Sequence, residues 1–514
     1  MVCAVNKIDS NVTGLRYAEE ICLKQLPNVA DDGVDPVFYP LEPNSYSDFG
    51  GQITTKARNP INTSRQQKKG VVTDLTASGG FTQDVTQSNL LRLMQGFMFA
   101  DAREKADSQP LNGTAVVISS VDGTAKTITL ASNIAAIGAN TLLLASGFAL
   151  GGNNGLRLVT SNTTGVLVVD TAVTEASPPA TARVQAVGVQ GAAADLAIAY
   201  TAGSFPRLTS TALDFTTLGL IPGEWIYLGG DATGNSFANN SGFARINAIG
   251  AHFLEFDKTY WTPVTEAGTG KSVRIFTGVV IRNENDPALI VRRSYDLERT
   301  LGNDADGVMS EHLIGSIANE FTLNYKQGDI VTADLTFMAC DNTQRTGAQG
   351  LVTGDRPSLV ETDAFNSVSD FARIKLSSVD PINSAPVPLF AFATDMTITI
   401  KNNASMDKAL GVLGAFDISV GTFEVGGSIT AYFADVLGPQ AVRNNADITV
   451  DVAMVKNNSG VLIDIPLLTL GNGRLTVEQD KAIMLPLDVN GAQSKFGNTM
   501  LFQSFAYLPS KANS

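Results

Sequence analysis

Alternating apolar and polar positions run through most of this chain, and one stretch of the alternation occurs twice. Residues 53–98 open with Ile53-Thr-Thr-Lys56 and residues 398–443 open with Ile398-Thr-Ile-Lys401, each a half-buried strand by its period of two. A polar connection containing Gly70 or Gly414 follows, then a second alternating stretch through Phe81 or Phe423, then a short helical pattern. A repeated β-rich unit with no reactive residues in it points to a building block rather than a catalyst.

The same periodicities predict the remaining elements. Residues 10–27 read as an amphipathic helix capped by Ser10 or Asn11, with Leu15, Ala18, Ile21, Cys22 and Leu26 near helical spacing and Pro27 ending it. Strands begin at Val37. The segment 54–70 has no apolar period and reads as a long exposed loop or hairpin, the most basic stretch of the chain, with Lys56, Arg58, Arg65, Lys68 and Lys69. A strand over 72–81 and a helix over 88–105 follow, the helix burying Leu90, Leu91, Met94, Phe97 and Met98.

Residues 111–277 change texture, with many short strands rich in Ala, Gly, Thr and Asn. A second repeat lies here: Gly155 precedes Asp170, and Gly242 precedes Asp257, by fifteen residues each, and arginine strands around Arg183 and Arg274 close the two copies. Two small inserted β-barrels or sandwiches, at 111–190 and 191–277, are the simplest account. Beyond 278, Lys326-Gln-Gly328 predicts a hairpin between strands at 320–325 and 329–337. Residues 340–388 read as a long polar loop that is functional or ordered by a partner, with Pro381, Pro386 and Pro388 near its end. Strands at 396–400, 416–420, 428–433, 448–452 and 461–470 complete the pattern, interrupted by a helix near 435–444 bent at Gly438-Pro439. The expected fold class is mainly β.

Length, 514 residues, is enough for three or four domains. The net charge of −14 leaves too few Lys and Arg to wrap nucleic acid by phosphate neutralisation, although an acidic wall past which DNA slides is compatible with it. Only 17% of residues are charged, and small residues fill the remainder, a surface suited to closely packed subunits. Cys3, Cys22 and Cys340 are scattered without a CxxC, which argues for neither a metal cluster nor a disulfide framework. The opening Met1-Val-Cys-Ala-Val-Asn-Lys7 lacks the pattern of a signal peptide, and no long apolar run is present.

Candidate chemistry is sparse. Gly270-Lys271-Ser272 resembles the end of a P-loop, but a strand follows where a phosphate-binding helix is required. Asp304-Ala-Asp306-Gly307 and Asp231-Ala-Thr-Gly-Asn235 lack the ligand set of a calcium loop and read as turns. His252 and His312 are the two histidines, and nothing beside either in the sequence recommends a Ser-His-Asp site. No catalytic, cofactor-binding or metal-ligating residue is expected. The basic segment at 56–69 is either a solvated turn or an assembly arm that meets an acidic surface on a neighbouring subunit.

Phe416-Asp-Ile-Ser-Val-Gly-Thr-Phe-Glu-Val-Gly-Gly-Ser-Ile-Thr-Ala-Tyr-Phe433, followed by a short helix and paired strands, resembles the major tail tube proteins of long-tailed, siphovirus-like, non-contractile bacteriophages. So do Ser294-Tyr-Asp-Leu-Glu-Arg299 with its hairpin and Gly70-Val-Val-Thr-Asp-Leu-Thr-Ala-Ser-Gly-Gly-Phe81 with its helix. The resemblance covers about 35–107 and 280–510. It implies tandem tail-tube β-sandwich domains with short flanking helices, the first at 1–110 and completed after about 276, the second at 278–514. It also implies a virion structural protein, not an enzyme, made in the host cytoplasm and assembled into stacked rings as the conduit for DNA ejection. Its partners would be copies of itself, in a trimeric ring of pseudo-sixfold symmetry or a hexamer, the tip, terminator and tape-measure proteins, and genomic DNA passing without specific binding. The 54–70 and 340–388 segments become candidates for contact between rings, with Lys56, Arg58, Arg65, Lys68 and Lys69 as the assembly residues. Another virion component, such as a capsid decoration or tail terminator, and a secreted β-rich adhesin or polysaccharide-binding protein are the alternatives.

Overall fold

A computed structural model describes residues 8–513 except 9, 62, 64–65, 104–114, 135–136, 361, 381, 387 and 391. It is mainly β, and the chain divides into two compact units. One holds residues 1–100, 286–367 and 393–430, and the other 101–285, 368–392 and 431–514. Residues 286–367 and 393–430, which the sequence reading gives to a domain at 278–514, thus pack with the first hundred residues.

The first unit is organised by the strand Val308–Lys326. Its opening half pairs with Ser294–Asn303 on one side and Asp341–Arg345 on the other. Its closing half pairs with Thr332–Ala339 and Ala393–Lys401. Gly315 marks the change of partners, with φ +68°, and a Cβ there would stand 2.9 Å from the Cys340 side chain. Only glycine takes that left-handed turn without strain, so a single strand can serve two sheets. One sheet runs Tyr39–Leu41, Thr13–Glu20, Ser294–Asn303, 308–316, Asp341–Arg345. The other runs Pro43–Arg58, Lys68–Asp84, Thr332–Ala339, 317–326, Ala393–Lys401, Glu424–Tyr432.

An aromatic core packs a helix against the second of these sheets. Phe97 stands 5.3 Å from both Phe321 and Phe337, and Phe337 stacks on Phe81 at 6.2 Å. Phe97 comes from the helix Leu91–Met98, which also buries Leu93, Met94 and Met98. The helix is shorter than the 88–105 expected, because Phe99 turns left-handed at φ 47° and ends it.

The expected helix at 10–27 is instead the strand Thr13–Glu20, in register with Ser294–Asn303 from Thr13↔Leu301 to Glu20↔Ser294. Leu15 and Tyr17 alternate into the core, whereas Ile21 and Cys22, which completed the helical stripe, are exposed. Pairing with a strand far along the chain outweighs the local period. Residues 340–388 are likewise not one loop, since Asp341–Arg345 and Phe371–Ser378 are strands within it, the latter paired with Ile448–Lys456. Phe423 falls between strands, with Glu424–Tyr432 beginning after it. The predicted hairpin at Lys326-Gln-Gly328 and the helix near 435–444, observed as Leu437–Arg443, are present.

In the second unit, residues 116–186 carry an apolar core around Ile128, Leu143, Val159 and Leu167, and residues 189–275 another around Leu208, Ile226, Ile246 and Phe256. The Gly-to-Asp repeat is a hairpin in each, Gly155–Thr163 with Val166–Val169 and Gly242–Gly250 with Phe253–Thr259. The arginine strands that close the copies pair with one another, Gln190↔Arg274 through Gly188↔Phe276. A third cluster joins Trp225, Tyr227, Phe243 and Phe276 to Leu462, Leu501 and Phe505 of the sheet that Ser459–Asn472 centres.

Charge is buried at that junction. Arg245, 2% exposed, sets Nε 2.9 Å from Asp257 and Nη1 3.0 Å from Asp464. Trp225 Nε1 donates to Asp464 at 3.0 Å, and Lys495 stands 2.9 Å from Asp257. Burial pushes the Asp464 carboxyl up to about 6 against the pull of Arg245. Burial would also raise Asp257, but Arg245 and Lys495 outweigh it and hold that carboxyl below the usual range. The neighbouring Lys258 is 4% exposed, and burial, then the Arg245 charge, lower its ammonium to about 8.

Two outcomes follow from these placements. Gly315→Ala should destabilise the chain by about 2 kcal/mol or more through backbone strain and the Cys340 clash, read as a lower urea midpoint. Lys258 should make wild-type stability climb between pH 8 and 10.5. The unfolded chain holds the lysine proton through that window while the folded chain has released it, so raising the pH removes the cost of burying the charge. Lys258→Met should be more stable than wild type at pH 7, by up to about 3 kcal/mol, with the gain vanishing toward pH 10.5; urea titrations across pH check both.

Candidate assembly surface

The hairpin of Pro43–Arg58 and Lys68–Asp84 is the longest paired feature of the first unit, in register from Pro43↔Gln83 to Arg58↔Lys68. Its base belongs to the sandwich, where Leu75, Ala77 and Phe81 are buried. Beyond Leu75 it leaves the body. Residues 51–58 and 66–69 are exposed without interruption, on both faces of the ribbon. An isolated two-stranded ribbon is marginal in water, so this one is suited to being covered.

Its surface is both apolar and basic. Ile53, Val71 and Val72 are more than half exposed, and Ile61 at the tip is 107% exposed. Lys56, Arg58, Lys68 and Lys69, all expected assembly residues, lie on this distal ribbon and are exposed; Arg65 lies outside the described residues. Among the described residues none of those four forms an ion pair. Arg58 stands directly opposite Lys68, a like-charge pair that destabilises a ribbon until carboxylates approach it. Among the described residues no strand of this unit pairs with the outer edge of Pro43–Arg58, the kind of edge that natural sheets cover or join. The alternation of residues 53–56 signalled the strand, but nothing in the sequence marked Ile61 as fully exposed.

The other expected contact segment behaves differently. Over 341–367 it is bound to its own unit. Arg356 grips the buried Glu298 with two hydrogen bonds of 2.6 and 2.7 Å and stacks 4.5 Å over Phe38, and Phe365 exchanges backbone bonds with Val85 and Val331. A second apolar projection, missed by sequence reasoning, is the turn that carries Leu410, 104% exposed, with Val412 and Leu413 beside it. Lys408 ties this turn to Asp74 on the arm at 2.6 Å.

One buried cluster has the outline of a hydrolase site. Ser310 Oγ is 3.1 Å from His312 Nε2, and His312 Nδ1 is 3.0 Å from Asp296. All three are fully buried, and the Ser310 hydroxyl is donated to the Gly350 carbonyl. Burial raises the Asp296 carboxyl, with the His312 hydrogen bond opposing it. No substrate can reach a serine in this position, so the chain of bonds fastens the segment around Gly350 to the sheet. The period of two placed Ser310 and His312 on one face, but only the pairing with Ser294–Asn303 brings Asp296 to them.

His252 is exposed on a turn, near the Leu213 carbonyl at 3.4 Å. Asp304 closes a turn by accepting from the amides of Asp306 and Gly307. Lys271 and Ser272 lead into the strand Arg274–Phe276, with Lys271 paired to Glu266. Among the described residues no group of acidic, histidine and cysteine side chains is arranged to hold a metal ion, and no helix is long and apolar enough to cross a membrane. The arm is therefore the feature that stands out.

Comparison with known families matches residues 10–491 to the model of phage tail tube proteins. No curated protein matches the chain.

Proposed function

Because the chain belongs to the phage tail tube protein family, we propose that its copies close into rings and that the rings stack into the conduit through which viral DNA is ejected into the bacterial host. The family makes it a structural protein of the virion tail. The observation that carries the assembly reading is the arm, an apolar and basic ribbon that its own unit leaves uncovered. In a closed ring the free edge of Pro43–Arg58 gains a strand from the next copy, which removes the exposed edge as closure of a barrel does.

Two tube domains in tandem, hence three chains to a ring of pseudo-sixfold symmetry, are supported by the repeated strand–strand–helix order. Pro43–Arg58, Lys68–Asp84 and Leu91–Met98 are echoed by Ala393–Lys401, Glu424–Tyr432 and Leu437–Arg443, with the short strands Ser405–Asp407 and Asp417–Ser419 lying between the first two of these. The residues between the copies, 111–277, then decorate the outside. A net charge of −14 suits a lumen that repels phosphates and lets DNA pass without adhering. Tip, terminator and tape-measure proteins are the expected companions.

Electron microscopy of the purified full chain tests this reading, with hollow tubes of regular axial repeat as the expected result and trimeric symmetry as the finer one. Carboxylates should outnumber Lys and Arg along the lumen. Reversal of charge in Lys68→Glu/Lys69→Glu should reduce tube yield at least tenfold with an unchanged urea midpoint. Particles that remain monomeric even with tail-tip components added would overturn the proposal.

A further inference from the structure

Where the hairpin of Gly242–Gly250 and Phe253–Thr259 packs on the sheet of the second unit, cations outnumber the carboxylates that face them. Arg245 takes up two of those carboxylates, Asp257 and Asp464. The remaining one, Asp451, is 1% exposed and stands opposite Lys375 in the register of Phe371–Ser378 with Ile448–Lys456. Among the described residues its ion pair is with Arg373, at 3.7 Å. Lys375 and Lys258 are both buried, and neither forms an ion pair among the described residues.

These groups converge. Alternation puts Arg373, Lys375 and Ser377 on one face of their strand. At one end of that row Arg373 donates to the Thr259 carbonyl at 3.4 Å and lies 4.0 Å over the Tyr260 ring. At the other end Lys258 Nζ reaches the Ser378 carbonyl at 3.4 Å. Lys375 lies between these contacts, and burial, then the Arg373 charge, lowers its ammonium to about 8, as burial and Arg245 do for Lys258. Ser377 Oγ is fully buried and has no hydrogen-bond partner among the described residues. The chain roofs the row: Thr259 N donates to the Ser384 carbonyl at 2.9 Å, and Leu389 N donates to the Leu376 carbonyl at 2.8 Å.

We propose that Lys258, Arg373, Lys375 and Ser377 form a binding site for one small oxyanion, phosphate or sulfate, which fastens the hairpin to the sheet. Two ammonium groups, a guanidinium and a hydroxyl offer donors from several sides, which a tetrahedral oxyanion can accept together and the single Asp451 carboxylate cannot. A buried charge without a counter-charge is strongly penalised, so the ion supplies what three cations around one carboxylate lack. The roof admits a free ion and excludes a phosphodiester chain. Arg245, Asp257 and Tyr260 face the site from the hairpin side, Asp451 and Asp464 from the sheet, and Lys495 lies beyond Asp257. Asp464, pushed up to about 6, is ionised above pH 7, so the window from pH 7 to 9.5 reports the two lysines. The site stands independently of the tube reading.

Calorimetric titration of the full chain with inorganic phosphate at pH 7 and constant ionic strength should give one site per chain, and chloride should give none. The affinity should fall at least tenfold at pH 9.5, because proton release removes the ammonium charges that hold the ion. Lys375→Met should abolish binding and Lys258→Met should weaken it at least tenfold. Phosphate also favours compact states by exclusion from protein surfaces, so urea midpoints are compared between wild type and Lys375→Met, and the wild type should gain more. In phosphate the advantage of Lys258→Met at pH 7 should shrink. A duplex oligonucleotide of equal phosphate content should not bind here. Absence of phosphate binding, equal binding of chloride, binding that Lys375→Met retains, or an affinity unchanged from pH 7 to 9.5 overturns the proposal. Oligonucleotide binding that Lys375→Met abolishes overturns the enclosed ion in favour of a nucleic-acid backbone. Should Lys375→Met fail to fold, Lys258→Met decides by the same criteria.

Discussion

Every strand must find partners for its backbone groups, and in the first unit that requirement falls on Val308–Lys326. Four strands hydrogen-bond to it, two along each half, and the left-handed turn at Gly315 lets the halves enter different sheets. The two sheets are thereby joined without a connecting loop. Phe97 of the helix packs on Phe81, Phe321 and Phe337 of neighbouring strands in one of them. The buried Ser310–His312–Asp296 chain ties the segment around Gly350 back to the same strand, and the Glu298–Arg356 pair ties the residues that follow to its neighbour Ser294–Asn303. A triad outline can therefore arise from sheet pairing alone, and accessibility rather than geometry separates it from a catalytic site.

The second unit solves a different problem, the attachment of two apolar β cores to a sheet. Apolar packing around Trp225, Phe243 and Phe505 supplies area, and Arg245 supplies direction by reaching Asp257 on its own hairpin and Asp464 on the sheet. Buried ion pairs are poor sources of net stability, but an unpaired buried charge is strongly penalised. Misplacement of the hairpin would leave Arg245 or Asp464 without its counter-charge, so the pair favours one seating over its neighbours. The Lys258 ammonium beside it is lowered to about 8, first by burial and then by the Arg245 charge.

The arm has the opposite character. At its base the second strand buries Leu75, Ala77 and Phe81, while the distal half has no core of its own and opposes Arg58 to Lys68. A free monomer gains nothing from such a ribbon. Its exposed isoleucine, its edge strand and its four cations without an ion pair among the described residues are features of a surface that another surface can cover.

Much of this was legible along the chain. Alternation is a local property, so it was enough to find most strands, the two Gly-to-Asp repeats and the basic stretch at 56–69. The residue pattern quoted for the tail tube proteins likewise lay within continuous segments. What depended on distant partners was not legible. Thr13–Glu20 carries a helical spacing and becomes a strand because Ser294–Asn303, far along the chain, offers it a ladder. Asp296 meets His312 and Asp464 meets Arg245, each from residues that only folding brings together. The sequence by itself determined which segments could be strands and where positive charge gathers, because period and composition act between near neighbours. Tertiary structure alone decided which side chains are buried and which, like Ile61, are left bare, because burial is settled by what the rest of the chain covers.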